Sequence, residues 1–110
     1  MIFSGTWRAV LSGQKTQTRR LKRGIRQVGQ TYAIQSARGG GSLGRIRILR
    51  IWQQRIIDVS EEEAKAEGFG SVEEWFSVLC DVYPVWHRER GMHPMDMVWA
   101  FEFEVVGSAR

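Results

Sequence analysis

The sequence has one cysteine, Cys80, and two prolines, Pro84 and Pro94. A single thiol excludes an internal disulfide and a cysteine-built zinc site, and its helical apolar setting, WFSVLCDVY, reads as a packed thiol. No apolar run approaches the length of a bilayer span, and MIFSGTWRAVLSGQK lacks the basic start, unbroken apolar stretch and cleavage site of an export signal. A cytoplasmic protein without a membrane partner is therefore expected. Acid is scarce in a more telling way. No Asp or Glu precedes Asp58, whereas basic residues crowd that half from Arg8 to Arg55; all 12 acids come later, opposed only by Lys65, Arg88, Arg90 and Arg110. Either the basic half faces phosphate, or the two halves answer each other across the fold.

At 110 residues the chain fits one domain, 1–110, with a single core. Trp7, Val10 and Leu11 at helical spacing predict a short helix between Gly5 and Ser12, ended by Gly13. TQTRRL and GQTYAIQ read as strands, and ARGGGSLG as a loop, either a hairpin connection or a mobile lid. In RIRILRIW the alternation slips midway, which predicts a bulge or a bend. Ser60 with Glu63, and Ser71 with Glu74, form two capping-box signatures opening a pair of helices, the second with an apolar stripe of Val72, Trp75, Phe76, Leu79 and Val82. The closing strand, MVWAFEFEVVG, predicts Met97, Trp99, Phe101, Phe103 and Val105 facing inward. Strands at both ends, a leading helix and an inserted helical pair describe an α+β domain around a small, curled antiparallel sheet or barrel.

The chemistry concentrates in GQKTQTRR, residues 13–20, where Lys15, Thr18 and Arg20 follow Gly13 at spacings of two, five and seven. On a regular strand Lys15 and Thr18 point to opposite faces, so Lys15 must sit on the turn after Gly13 to work with Thr18. Threonine needs a base to become a nucleophile, and lysine becomes one only when burial or nearby cations lower its pKa; Arg20 and Arg19 are placed to supply such cations. Glu67 in AEGF, much later, could orient Lys15, protonate a leaving amine or activate water. Lys15 and Glu67 could equally be an ion pair docking the helix on the barrel. His87, Glu89, His93 and Asp96 lack metal-ligand spacing and read as a surface loop, so no metal and no cofactor are expected. Trp86, with Tyr32 and Tyr83 behind it, is the candidate platform for stacking a base.

The pattern G-x-K-x-x-T-x-R, followed by VGQTYAIQ, GRIRILRI, DVSEEEAKAEGFGSVEEWF and VWAFEFE, resembles the ASCH-domain family over nearly the whole chain. The resemblance implies a PUA-like β-barrel with a cleft for RNA or nucleoside-like ligands. It also implies, from small bacterial members, an amidohydrolase that removes the acyl group from N4-acetylcytidine or a related nucleoside, with Lys15, Thr18 and Glu67 catalytic and Arg20, Arg19, Tyr32 and Trp86 around the substrate. The alternative is a non-catalytic module whose basic first half holds RNA phosphates. The expected partner is a modified nucleoside or RNA, with no obligate protein partner.

Overall fold

The computed structural model describes residues 1–84 and 93–108, so Trp86, His87 and Glu89 lie outside the described residues. Helix α1 (Trp7–Leu11) leads into strands β1 (Gln17–Arg20), β2 (Thr31–Ile34) and β3 (Gly44–Arg55); a 3-10 turn (Ile56–Asp58), helices α2 (Glu61–Ala66) and α3 (Val72–Val82), and strand β4 (Met97–Ser108) follow. The strands form one antiparallel sheet in the order β1-β4-β3-β2. At the β2 edge the first residues add a parallel bridge, Ile2 to Gln35, with the Phe3 amide on the Gln35 carbonyl at 2.8 Å. The Arg20 guanidinium on the opposite edge strand donates to the Ile2 carbonyl at 2.7 Å. The curled sheet is thus closed across that seam by a side chain.

The predicted slip in β3 is a register shift between Ile48 and Arg50. Ile46 and Ile48 are fully buried before it and Leu49 and Arg50 are exposed at it, after which the odd-numbered Ile51 turns to the core. One extra residue therefore re-aims the strand without interrupting its pairing. In β4 the expected inward set holds for Phe101 and Phe103, with Trp99 and Val105 packed beside them, but Met97 is exposed and Val98 and Ala100 are fully buried. Helices cover the other face of this half-strand, so alternation cannot sort its residues.

Two apolar clusters result. One fills the curl of the sheet with Phe3, Val10, Ile34, Ile46, Ile48, Phe101 and Phe103. The other joins the helical pair to the sheet through Ile56, Val59, Ala64, Trp75, Leu79 and Val98. The Ser60 box forms in full, with Ser60 Oγ accepting from the Glu63 amide and the Glu63 carboxylate from the Ser60 amide. The Ser71 box forms by half: Ser71 Oγ accepts from the Glu74 amide, but Glu74 turns its carboxylate to the Gly70 amide at 3.0 Å. Residues 36–43 form the β2–β3 connection, where the Gln35 amide side chain donates to the Gly40 carbonyl.

Helix α2 ends at Glu67, and the chain leaves it through Gly68 at φ +94°. A side chain there meets only ordinary contacts, the Cβ atoms of Ala9 and Lys15 at 3.8 Å, so the requirement is conformational. Gly68→Ala is therefore expected to lose about 1–2 kcal/mol of stability, read as a fall in the denaturant midpoint with an unchanged slope.

Candidate functional site

A cavity of about 260 Å³ opens where the two clusters meet. That is near the lower end of ligand-pocket sizes, roughly 300–1,000 Å³. One wall is the first segment of the chain, Ile2 to Ser4 and Thr6; the next is the turn and strand carrying Lys15, Thr18, Arg19 and Arg20; Glu67 and Phe69 close the base. The last wall is α3, with Trp75, Val78, Leu79 and Val82 at helical spacing and Tyr83 just beyond. Trp75, Leu79 and Val82 of the apolar stripe thus line the cavity as well as packing the helix, with Val82 largely exposed.

Lys15 sits before β1, on the turn after Gly13, as its offset from Thr18 requires. Backbone bonds fix it: its own amide donates to the Ala9 carbonyl at 2.9 Å, and the following Thr16 amide to the Ala66 carbonyl at 2.8 Å. The second bond brings residue 15 beside residue 67. Lys15 Nζ donates to the Glu67 carbonyl at 2.8 Å and to Glu67 Oε1 at 3.4 Å, and lies 5.5 Å from the centre of the Phe69 ring. Both residues are buried, Lys15 to 4% and Glu67 to 3% exposure. Burial lowers the Lys15 pKa; Glu67 opposes that shift, and Arg20 and Arg19 add to it. The arrangement favours a lysine that can give up its proton.

Glu67 is shared. Its Oε2 accepts from Arg19 Nη1 at 3.1 Å, and the fully buried Arg19 guanidinium also donates to Glu63 Oε2 at 2.6 Å, Gln17 Oε1 at 3.0 Å and Gln54 Oε1 at 2.8 Å. Burial alone would raise the Glu63 carboxyl, but the Ser60 amide, Gln54 and Arg19 outweigh it and hold the pKa below its usual value. The sequence pointed to Arg19 as a substrate contact. Its donors are instead spent on this network, and Gln17, Gln54 and Glu63 are members that sequence reasoning missed.

Thr18 lies on β1 opposite Phe101, 5% exposed, and its hydroxyl has no hydrogen-bond partner among the described residues. Arg20, two residues on, lines the same cavity with its guanidinium 5.2 Å from the Phe3 ring centre. Lys15, Thr18, Glu67 and Arg20 therefore meet in one concave site. Tyr32 does not join them: it lies on β2, packs against the core of the curl, and its hydroxyl accepts from the Gln27 amide at 2.9 Å. Tyr83 is the tyrosine at the cavity. The glycine-rich connection between β2 and β3 contributes no residue to its lining. Among the described residues no cluster of ligating side chains could hold a metal ion, and no helix is long and apolar enough to cross a membrane.

The ASCH-domain family model matches residues 5–107. This chain belongs to the ASCH-domain family. Solved structures agree in fold. A protein from Enterococcus faecalis superposes with a TM-score of 0.78 at 22% identity, covering 96% of this chain and 69% of that one. An ASCH domain from Lactobacillus crispatus gives 0.77 at 22%, covering 92% and 70%. A mutant ASCH protein from Zymomonas mobilis gives 0.63 at 16%, covering 94% and 66%. Among proteins with curated functions none matches the sequence. For this ASCH domain the likenesses fix the architecture, and chemistry must be argued from the site.

Removing the Arg19 guanidinium would leave the buried Glu67 carboxylate and the half-buried Glu63 carboxylate without their shared partner. Arg19→Ala is expected to cost about 3–5 kcal/mol, measured by chemical denaturation, and Arg19→Lys to recover only a minor part because an ammonium cannot span four acceptors.

Proposed function

We propose that this ASCH domain is a small amidohydrolase that removes the acyl group from the exocyclic amine of N4-acetylcytidine or a related nucleoside. The observation that carries the reading is the pairing of a buried lysine of lowered pKa with a carboxylate, beside a threonine hydroxyl left free in the same cavity. Neutral Lys15 takes the Thr18 proton as Thr18 Oγ1 attacks the acyl carbon, and the carbonyl oxygen becomes an oxyanion beside the ammonium that Lys15 has become. Collapse breaks the bond from carbon to the exocyclic nitrogen, which leaves with the proton from Lys15 Nζ; water then hydrolyses the threonyl ester. Glu67, with Oε2 on Arg19 and Oε1 toward Lys15, is occupied by two cations and serves to aim the lysine. That occupation favours Thr18, over a water activated by Glu67, as the nucleophile.

A second reading, a binding module that breaks no bond, draws on the cations from Arg20 to Arg26, none of which pairs with a carboxylate among the described residues. Salt separates the two readings: a module neutralising several RNA phosphates loses affinity with a log–log slope of about 0.7 per phosphate.

Turnover of N4-acetylcytidine tests the enzyme reading. Thr18→Ala should lower kcat by about 10²-fold or more and Thr18→Ser should keep part of the rate, because a hydroxyl survives. Lys15→Arg should fail, since guanidinium keeps its proton. Near-normal turnover in Lys15→Arg would remove the lysine base from the mechanism.

The pH profile gives an independent check. The base must be deprotonated, so kcat/KM should rise with pH, and burial places the midpoint of that rise below the ordinary lysine value of 10.5. A rate that falls as pH rises through the neutral range would contradict the assignment.

A further inference from the structure

Two buried side-chain polar atoms among the described residues lack a hydrogen-bond partner, and they are the Nε atoms of Arg20 and Arg26. A buried donor left unmade costs roughly 1–3 kcal/mol, so native proteins seldom keep two on neighbouring groups without a use for them. Arg20 spends Nη2 on the Ile2 carbonyl, while its Nη1 has no protein partner among the described residues. Arg26 makes one long bond, 3.4 Å from Nη1 to the Arg23 carbonyl, and its guanidinium lies 5.9 Å from the Phe101 ring centre. The two cations are close enough that, after burial, repulsion from Arg26 is the next cause lowering the Arg20 pKa.

The charge around them is uncompensated. Lys15, Arg19, Arg47, Arg50 and Arg55 each pair with a carboxylate, whereas Arg20, Lys22, Arg23 and Arg26 do not among the described residues. The row starts inside the cavity at Arg20 and runs outward to exposed Lys22 and Arg23. Positive charge packed this way, with donors idle, is set for an anion of charge near two with several acceptor oxygens.

The geometry points to Arg20, which lines the cavity, and Arg26, which neighbours Arg20 without lining it, as a phosphate site beside the cavity, so that the ligand is a nucleotide, free or within a strand, in preference to a bare nucleoside. This rests on reading the cavity as a nucleoside site. A small rotation of each guanidinium would turn its Nε from an idle donor to one arm of a fork on phosphate oxygens.

The test measures binding without catalysis, by calorimetry with cytidine, cytidine 5′-monophosphate, ribose 5-phosphate and a cytidine trinucleotide. The monophosphate should bind about tenfold or more tightly than cytidine, and Arg26→Gln should bring the two within about twofold; Arg20→Lys, which keeps the charge but loses the fork, should shrink the gap in part. Equal affinity for cytidine and its monophosphate overturns the phosphate site and leaves the nucleoside reading standing. Arg26-dependent binding of ribose 5-phosphate as tight as that of the mononucleotide keeps the phosphate site and removes the base-binding reading. No binding of either phosphate at millimolar concentration overturns the proposal. A trinucleotide that binds tighter than the monophosphate assigns the phosphate to an RNA strand, and equal affinity assigns it to a free nucleotide.

Discussion

A carboxylate held almost out of water sets the terms for everything around it. Glu67 is 3% exposed, and a charge so placed is tolerable only if cations and hydrogen bonds replace its hydration. Lys15 and Arg19 do so from the turn and strand on one side, and the helix that ends at Glu67 is tied to the same turn by the bond from the Thr16 amide to the Ala66 carbonyl. The docking of α2 on the sheet and the assembly of the cavity are thus one event. An apolar substitute of similar volume could pack there as well or better. Retaining an ionic cluster makes sense where an amine has to be aimed and kept close to losing its proton.

The lopsided charge of the sequence resolves by the same logic. Antiparallel pairing of β3 with β4 lays Arg47 beside Glu104 at 3.7 Å and Arg50 beside Glu102 at 3.6 Å, and Arg55 folds back on Asp58 at 2.8 Å. These exposed pairs contribute little each. Their effect is to neutralise Arg47, Arg50 and Arg55, while the cations from Arg20 to Arg26 keep no carboxylate partner among the described residues. Of the two explanations for the asymmetry, the pairing of the halves across the fold holds for part of the basic set. Acids from the second half answer the outer sheet and the buried network, and basic residues next to the cavity stay unanswered.

Much of this was legible before any coordinates. Capping residues announced both helices because their signal is local, and the slip in RIRILRIW announced the bulge because a period of two has no other way to change face. The turn placement of Lys15 followed from parity alone. What stayed hidden depends on tertiary neighbours. Gln17, Gln54 and Glu63 carry no motif, and only the meeting of β1, β3 and α2 makes them acceptors for one guanidinium. The capping glutamate Glu63 serves both its own helix end and Arg19, and a sequence shows only the first of these jobs. Val78 and Val82 were indistinguishable from ordinary core because a helix stripe reads alike whether it faces packed side chains or a cavity, whereas Tyr83 stood out as an aromatic ring with a polar tip. Tyr32 was assigned to the ligand by residue type, and strand order puts it at the other edge of the sheet.

The seam between Ile2 and β1 has a consequence for how molecules get in. Elsewhere the curl is held by ladders of backbone bonds, which open only cooperatively, but here a single guanidinium spans the gap. Ile2 to Ser4 form one bank of the cavity and Thr18 to Arg20 the other, so any widening of that gap widens the entrance while every strand pair stays intact. Admission of a ligand can therefore run on the timescale of a side-chain rearrangement, nanoseconds to microseconds, without waiting for the slower opening of a sheet. Arg20 would act as the latch on that door.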